Sequence, residues 1–182
     1  MKKIKKMSLY EMGQQLSQVS KAELMALVGG GEYKGVCFFD CLSSCASAFG
    51  FNLDTRPMVL DYARTYYAED HPSAYGSDGT PTRQEYWDYA TEGIKHYEDR
   101  RCDIAGKYFS SVSVISTGMI ETARESGAQI ILTVKGDGTD HAVVYRSYDA
   151  STDTYTVWDA AYAVEDRCKG SDIKSEVLCL FN

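Results

Sequence analysis

The sequence predicts an α+β fold in which helices come first and an antiparallel sheet comes last. Apolar residues recur at helical spacing within residues 40–49 and 56–68. Short β-rich runs, separated by turns rich in Gly and Asp, occupy much of residues 128–158. Because helices and strands are segregated along the chain rather than alternating, the pattern favours α+β over a doubly wound α/β sheet.

Capping residues and apolar spacing define the expected helices. Asp40 is a suitable N-cap for the first helix, which places Cys41 in its first turn. Thr82 and Glu85 form a capping-box pair that opens a later helix. Helices are therefore predicted over residues 40–49, 56–68, 82–97 and 117–126.

The expected strands lie in the last part of the chain. Runs of β-branched, aromatic and other apolar residues predict them at 128–134, 141–148, 154–158 and 176–181. The turns between the first three are short, so these strands are expected to be antiparallel neighbours. The last run is expected to be an edge strand.

Length and composition favour one folded domain of ordinary size. The 182 residues are 44% hydrophobic and 25% charged, which excludes a disordered or low-complexity chain. The formal net charge of −7 argues against unaided binding to nucleic acid or to an anionic membrane surface. No run of about 18 apolar residues is present, so no membrane span is expected.

The first thirty residues differ from the rest in charge. They carry five Lys and two Glu, a net charge of +3; since the whole chain carries −7, residues 31–182 carry −10. Their apolar residues recur at helical spacing up to Gly29-Gly30, which predicts an amphipathic helix that ends at the glycines. The lysines are not followed by the continuous apolar run of a secretory signal peptide.

The opening Met-Lys-Lys-Ile-Lys-Lys-Met-Ser-Leu resembles the leaders of Bacteroidetes natural-product precursors, and the pattern that ends in Gly29-Gly30 resembles the double-glycine leader peptides of bacteriocin-type precursors. The residues that carry the resemblance are Val19, Glu23, Leu24, Leu27, Gly29 and Gly30. It implies an ABC exporter with a leader peptidase as partner, cleavage after Gly30, and export to the periplasm or the extracellular space. The chain then divides into a leader, residues 1–30, and a domain, residues 31–182.

Three residues from different elements form a candidate catalytic set. Cys41 lies at a predicted helix N-terminus, whose partial positive charge favours the thiolate. His141 begins one predicted strand and Asp159 ends the next, so a short turn can bring the imidazole and the carboxylate together. A thiol, a base and an orienting acid are the parts that nucleophilic hydrolysis of an amide requires.

Residues 36–162 resemble the papain-like fold, and are most similar to the bacteriocin-processing type of bacterial cysteine peptidase. The resemblance is carried by the pair Asp40-Cys41, by His141 followed by hydrophobic residues, and by a strand ending in Asp159. It implies that Cys41 is the nucleophile, His141 the general base and Asp159 its orienting acid, with a peptide or protein as substrate. No cofactor is expected, and no Cys-x-x-Cys or paired His spacing indicates a metal site.

One departure from that family affects the oxyanion site. Its members have a Gln six residues before the nucleophile, whereas Gly35 stands there in this chain and no Gln occurs between residues 31 and 83. Oxyanion stabilisation is then expected from the backbone N–H of Cys41 alone. Loss of a side-chain donor costs on the order of 10²–10³ in rate.

The departure leaves alternatives open. One alternative is that the domain has a peptidase fold but is catalytically impaired. It would then act as a secreted effector, as a bacteriocin-like protein or as a binding protein. Phe39-Asp40-Cys41 also partly resembles the nucleophile motif of cell-wall amidases of the NlpC type, although that group usually orients its His with a second His. A peptidase could also cleave its own leader at Gly29-Gly30. In an exported protein, Cys168 and Cys179 are the favoured disulfide pair.

Overall fold

A computed structural model describes residues 36–70, 94–136 and 140–182. The predicted leader, residues 1–30 with Gly29 and Gly30, lies outside these residues. So does the capping box at Thr82 and Glu85 with most of the helix expected there. The described residues belong to one unit that spans Gly35–Asn182.

The described residues contain four α-helices, and the first begins earlier than expected. The helices are α1 Cys37–Ala48, α2 Thr55–Asp70, α3 Ile94–Ala105 and α4 Ile120–Glu125. Val36, and not Asp40, is the N-cap of α1, and its side chain makes no capping hydrogen bond. Asp40 lies in the first turn instead, where Thr55 Oγ1 of α2 donates to its Oδ1 at 2.8 Å. The predicted N-cap role of Asp40 is therefore wrong.

Packing accounts for the early start of α1. Phe38 and Phe39 are both buried, and the Phe39 ring lies 5.8 Å from that of Tyr62 in α2. Winding the chain into a helix before Asp40 buries both aromatic rings, which outweighs the absence of a side-chain cap. At the other end, Gly50 has a φ of 86° and the Phe51 N–H donates to the Ala46 carbonyl at 3.1 Å. This left-handed glycine ends α1.

The strands form one six-stranded antiparallel sheet, which confirms the predicted α+β class. The strands are β1 Ser111–Ser116, β2 Gln129–Val134, β3 His141–Asp149, β4 Thr154–Asp159, β5 Val164–Lys169 and β6 Glu176–Phe181. Their spatial order is β1-β6-β2-β3-β4-β5. Strands β2, β3 and β4 match the predicted runs to within one residue at each end.

Three strands of the sheet differ from expectation. Strands β1 and β5 were not predicted, because one is rich in Ser and the other in charged residues, and both are largely exposed at the sheet edges. The prediction of β6 as an edge strand is wrong, since it lies between β1 and β2. Four consecutive residues of β6, Val177–Leu180, are buried, as expected for a strand covered on both faces.

Alternate residues of the central strands enter two hydrophobic clusters. In β2, Ile131 packs into the cluster that contains α1 and α2, whereas Ile130 and Leu132 enter the second cluster. This follows the period of two along a strand. Helix α1 packs against β3. None of the described α-helices has both the length and the apolar character needed to cross a membrane.

The six cysteines are free thiols. The expected Cys168–Cys179 disulfide is wrong: Cys168 is in the edge strand β5 and Cys179 is in β6, with β2, β3 and β4 between them. Strands are about 5 Å apart in a sheet, which puts this pair far beyond the reach of a disulfide.

Candidate active site

The predicted base and acid lie at neighbouring strand ends. His141 is the first residue of β3 and Asp159 is the last residue of β4. Val144 pairs with Trp158, so the register places Asp159 opposite Val143 and diagonally across from His141. Diagonal neighbours on one sheet face are within reach of an aromatic side chain.

The structure brings the side chains of His141 and Asp159 into contact. His141 Nε2 lies 2.8 Å from Asp159 Oδ2. Asp159 is only 3% exposed, and its second oxygen, Oδ1, is buried without a hydrogen-bond partner in the described residues. A buried carboxylate at this distance holds the imidazole in one orientation and stabilises its protonated form.

The thiol that the structure places against His141 is Cys37, and not Cys41. The Cys37 thiol interacts with the imidazole, and because Nε2 is engaged by Asp159, the nitrogen left for the thiol is Nδ1. Burial alone lowers the pKa of His141, but its hydrogen bonds to Asp159 and Cys37 outweigh that effect and raise the pKa to about 10. The imidazole can therefore hold a proton given up by the thiol at neutral pH.

Cys37 also occupies the helix position that had been expected for Cys41. It is the first residue of α1 and is partly exposed. The first N–H groups of a helix have no intrahelical acceptor and carry partial positive charge, which leaves the backbone N–H of Cys37 free to bind an oxyanion.

Cys41 lies one turn further along α1, inside the core. Its exposed fraction is 0%, and burial raises the pKa of its thiol well above the ordinary value, with the charges of Cys45, Cys37, Asp40 and Asp159 adding to the rise. As the fifth residue of α1, its backbone N–H faces the Cys37 carbonyl in the i to i−4 pattern. Neither its thiol nor its N–H is thus placed to meet a substrate carbonyl.

A second carboxylate, Asp40, lies close to this group. Burial raises the pKa of Asp40, and the negative charge of Asp159 raises it further, whereas the Thr55 hydrogen bond and the His141 charge lower it. Asp40 is three residues after Cys37, so both project from the same side of the first turns of α1. Its hydrogen bond to Thr55 ties the start of α1 to the start of α2 and so fixes the position of Cys37.

Two further contacts support the strand ends around the imidazole. The ring of Tyr162 lies 6.0 Å from that of His141, and the Tyr162 N–H donates to the Asp159 carbonyl at 3.3 Å. Lys174 Nζ lies 2.5 Å from Oδ2 of Asp140, the residue that precedes His141 in the chain.

Among the residues that the structure describes, no cluster of three or more His, Cys, Asp or Glu is arranged to hold a metal ion.

Cys37 is absent from the predicted site because no capping side chain marks the helix start at Val36. One signal in the sequence does point to it. Cys37, Cys41 and Cys45 are spaced by four and therefore share a helix face. The latter two are fully buried, so the face enters the core and only its first member reaches the rim.

In comparisons with known proteins, no family model and no curated protein matches this chain.

Proposed function

We propose that the protein is a cysteine hydrolase of amide bonds, with Cys37 as nucleophile, His141 as general base and Asp159 as its orienting acid. The observation that carries the proposal is that His141, which interacts with the Cys37 thiol, lies 2.8 Å from the buried carboxylate of Asp159. Few purely structural roles require a partly exposed thiol at a helix N-terminus to face an imidazole held by a buried carboxylate.

The reaction follows from these positions. His141 Nδ1 takes the thiol proton of Cys37 while Nε2–H remains bonded to Asp159. The thiolate attacks the carbonyl carbon, and the resulting oxyanion is stabilised by the backbone N–H of Cys37 at the start of α1. The C–N bond breaks as the imidazolium returns its proton to the leaving amine, which leaves a thioester. His141 then deprotonates water, which hydrolyses the thioester and restores the thiol.

The papain-like resemblance supports a peptide or protein as the substrate. In that family a thiol at a helix start meets a His from one strand and an acid or amide from the next, and the three residues here occupy such elements. The nucleophile lies one helical turn before the Asp40-Cys41 pair that carried the resemblance. Counted from Cys37, the residue six positions earlier is Gly31, so the oxyanion Gln is still missing.

The orienting acid bears on the alternative of an NlpC-type amidase. That group usually orients its His with a second His, whereas an Asp performs this role here. The partial motif match also relied on Cys41, which is buried. Peptidase activity is therefore the stronger proposal. If Cys37 is unreactive, the protein is instead an impaired, secreted binding protein.

Selective alkylation tests the proposed nucleophile. Iodoacetamide at neutral pH should label Cys37 faster than Cys102, a thiol on α3 in the same exposure class, by at least about tenfold, as peptide mass mapping would measure. Cys37→Ala should abolish hydrolysis of casein-like or peptidoglycan substrates. Cys41→Ala should leave both the labelling of Cys37 and the hydrolysis intact. Equal, slow labelling of Cys37 and Cys102 would overturn the proposal.

Export belongs to the same proposal. The charge break at residue 30 and the pattern ending in Gly29-Gly30 support leader removal by an exporter before the hydrolase acts outside the cytoplasm. Amino-terminal sequencing of protein from the periplasm or the culture medium should give Gly31 as the first residue. The same mature terminus in a Cys37→Ala strain would show that the protein does not cleave its own leader.

A further inference from the structure

A basic cavity lies at the end of β2. It has a volume of about 470 Å³ and is bordered by the 3-10 turn Gly170–Asp172 and the start of β6. Three lining side chains, Arg101, Lys135 and Lys174, are cationic, against one carboxylate, Glu176. This local excess of positive charge contrasts with the net charge of −7 for the whole chain.

Two of these cations have no carboxylate partner in the part of the chain that the structure describes. Arg101 Nη1 donates to Thr133 Oγ1 at 2.9 Å, and its Nε is buried without a hydrogen-bond partner there. Lys135 Nζ donates to the Ser171 carbonyl at 2.8 Å, which uses one of its three donors. Because these acceptors are neutral, both charges stay uncompensated, and the cavity attracts an anion.

The cavity is adjacent to His141. Val134 pairs with His141 on one side and with Ile173, a lining residue, on the other. Since neighbouring strands are about 5 Å apart, the backbone of Ile173 is roughly 10 Å from that of His141. The link is reinforced by the ion pair between Lys174 in the cavity wall and Asp140, the residue before His141.

We infer that this cavity binds a carboxylate of a peptide substrate and so makes the enzyme selective for peptides that carry one near the scissile bond. The inference rests on the proposed hydrolase function. An extended peptide advances about 3.3–3.6 Å per residue, so an acidic side chain within about three residues of the scissile bond reaches the cavity. The carboxylate comes from an Asp or Glu side chain or from the C-terminus of a short peptide, and the two sources are separable by experiment.

Binding to full-length protein carrying Cys37→Ala tests the inference without turnover. Three tripeptides serve as probes: capped Ala-Glu-Ala, capped Ala-Gln-Ala, and Ala-Gln-Ala with a free C-terminal carboxylate. Chemical-shift titration should give a dissociation constant about tenfold lower for a carboxylate-bearing probe than for capped Ala-Gln-Ala. A gain for capped Ala-Glu-Ala assigns the site to an acidic side chain, and a gain for the free terminus assigns it to a C-terminus.

Substitutions in the cavity make the test specific. Lys135→Met should abolish the preference, because it removes one of the two cations that have no carboxylate partner. The variant should still fold, since Lys135 is exposed and bonds only a carbonyl. Lys169→Met is the matched control, since Lys169 is also an exposed lysine that donates to a carbonyl, that of Thr152, at 2.9 Å, but it lies in β5 outside the cavity lining. Equal binding of all three probes, or a preference that survives Lys135→Met, would overturn the inference. A failure of Cys37 labelling, in contrast, would overturn only the hydrolase function.

Discussion

The substitution Asp159→Asn removes the buried charge behind His141 while keeping a side chain of nearly the same shape. The Asn oxygen can still accept from His141 Nε2–H at the position of Asp159 Oδ2, 2.8 Å away, so the ring orientation should persist. What is lost is the charge-assisted part of the hydrogen bond. A charged hydrogen bond contributes about 1.5–3 kcal/mol and a neutral one about 0.5–1.5 kcal/mol.

The difference of about 1–1.5 kcal/mol corresponds to about one pH unit. The pKa of His141, raised to about 10 in the native protein, should therefore fall by about one unit in Asp159→Asn. At a given alkaline pH the protonated fraction of the imidazole drops by up to about tenfold.

Nuclear magnetic resonance of histidine ring signals measures this pKa directly. The chain has only three His residues, so a His141→Gln sample identifies the relevant signal. Asp103→Asn is a matched control, since it removes the same charge from an exposed position on α3. A pKa of His141 near its ordinary value of 6.5 in both the native protein and Asp159→Asn would contradict this prediction.

Two further predictions concern stability. The raised pKa of His141 stabilises the fold fully below pH 6.5, and this contribution is lost as the pH rises towards about 10. The free energy of unfolding, measured by urea denaturation, should therefore decline over that pH window. The His141→Gln variant should lack this decline. Leu42→Ala in α1 should reduce the free energy of unfolding by roughly 2–5 kcal/mol, because Leu42 is fully buried, while the matched change Leu53→Ala at a partly buried position should cost less. Equal losses for the two leucine variants would contradict the burial argument.

The central sheet was predictable because its signals are local. Strands β2, β3 and β4 carry runs of apolar residues bounded by turns, and short turns determine which strands are neighbours. Strands β1 and β5 lack such runs because edge strands need not bury both faces. The central position of β6 depends on pairing with β1 and β2, from which it is distant in sequence.

The candidate site likewise has a part that could be predicted from local sequence and a part that could not. His141 and Asp159 were predictable as a contacting pair because one short turn and the register of β3 and β4 bring them together. The thiol of Cys37 was not predictable, because the start of α1 depends on burial of Phe38 and Phe39 rather than on a cap at Asp40.

Local sequence was enough to predict the α+β class, the positions of the central strands and the pairing of an imidazole with a carboxylate at their ends. These follow from hydrophobic period and turn residues, which act over a few neighbouring positions. That Cys37 faces His141 while Cys41 lies in the core depends on how the elements pack together. Cysteines four residues apart share a helix face, and local sequence cannot distinguish them; the depth of each turn below the surface is decided by how α1 packs on α2 and the sheet.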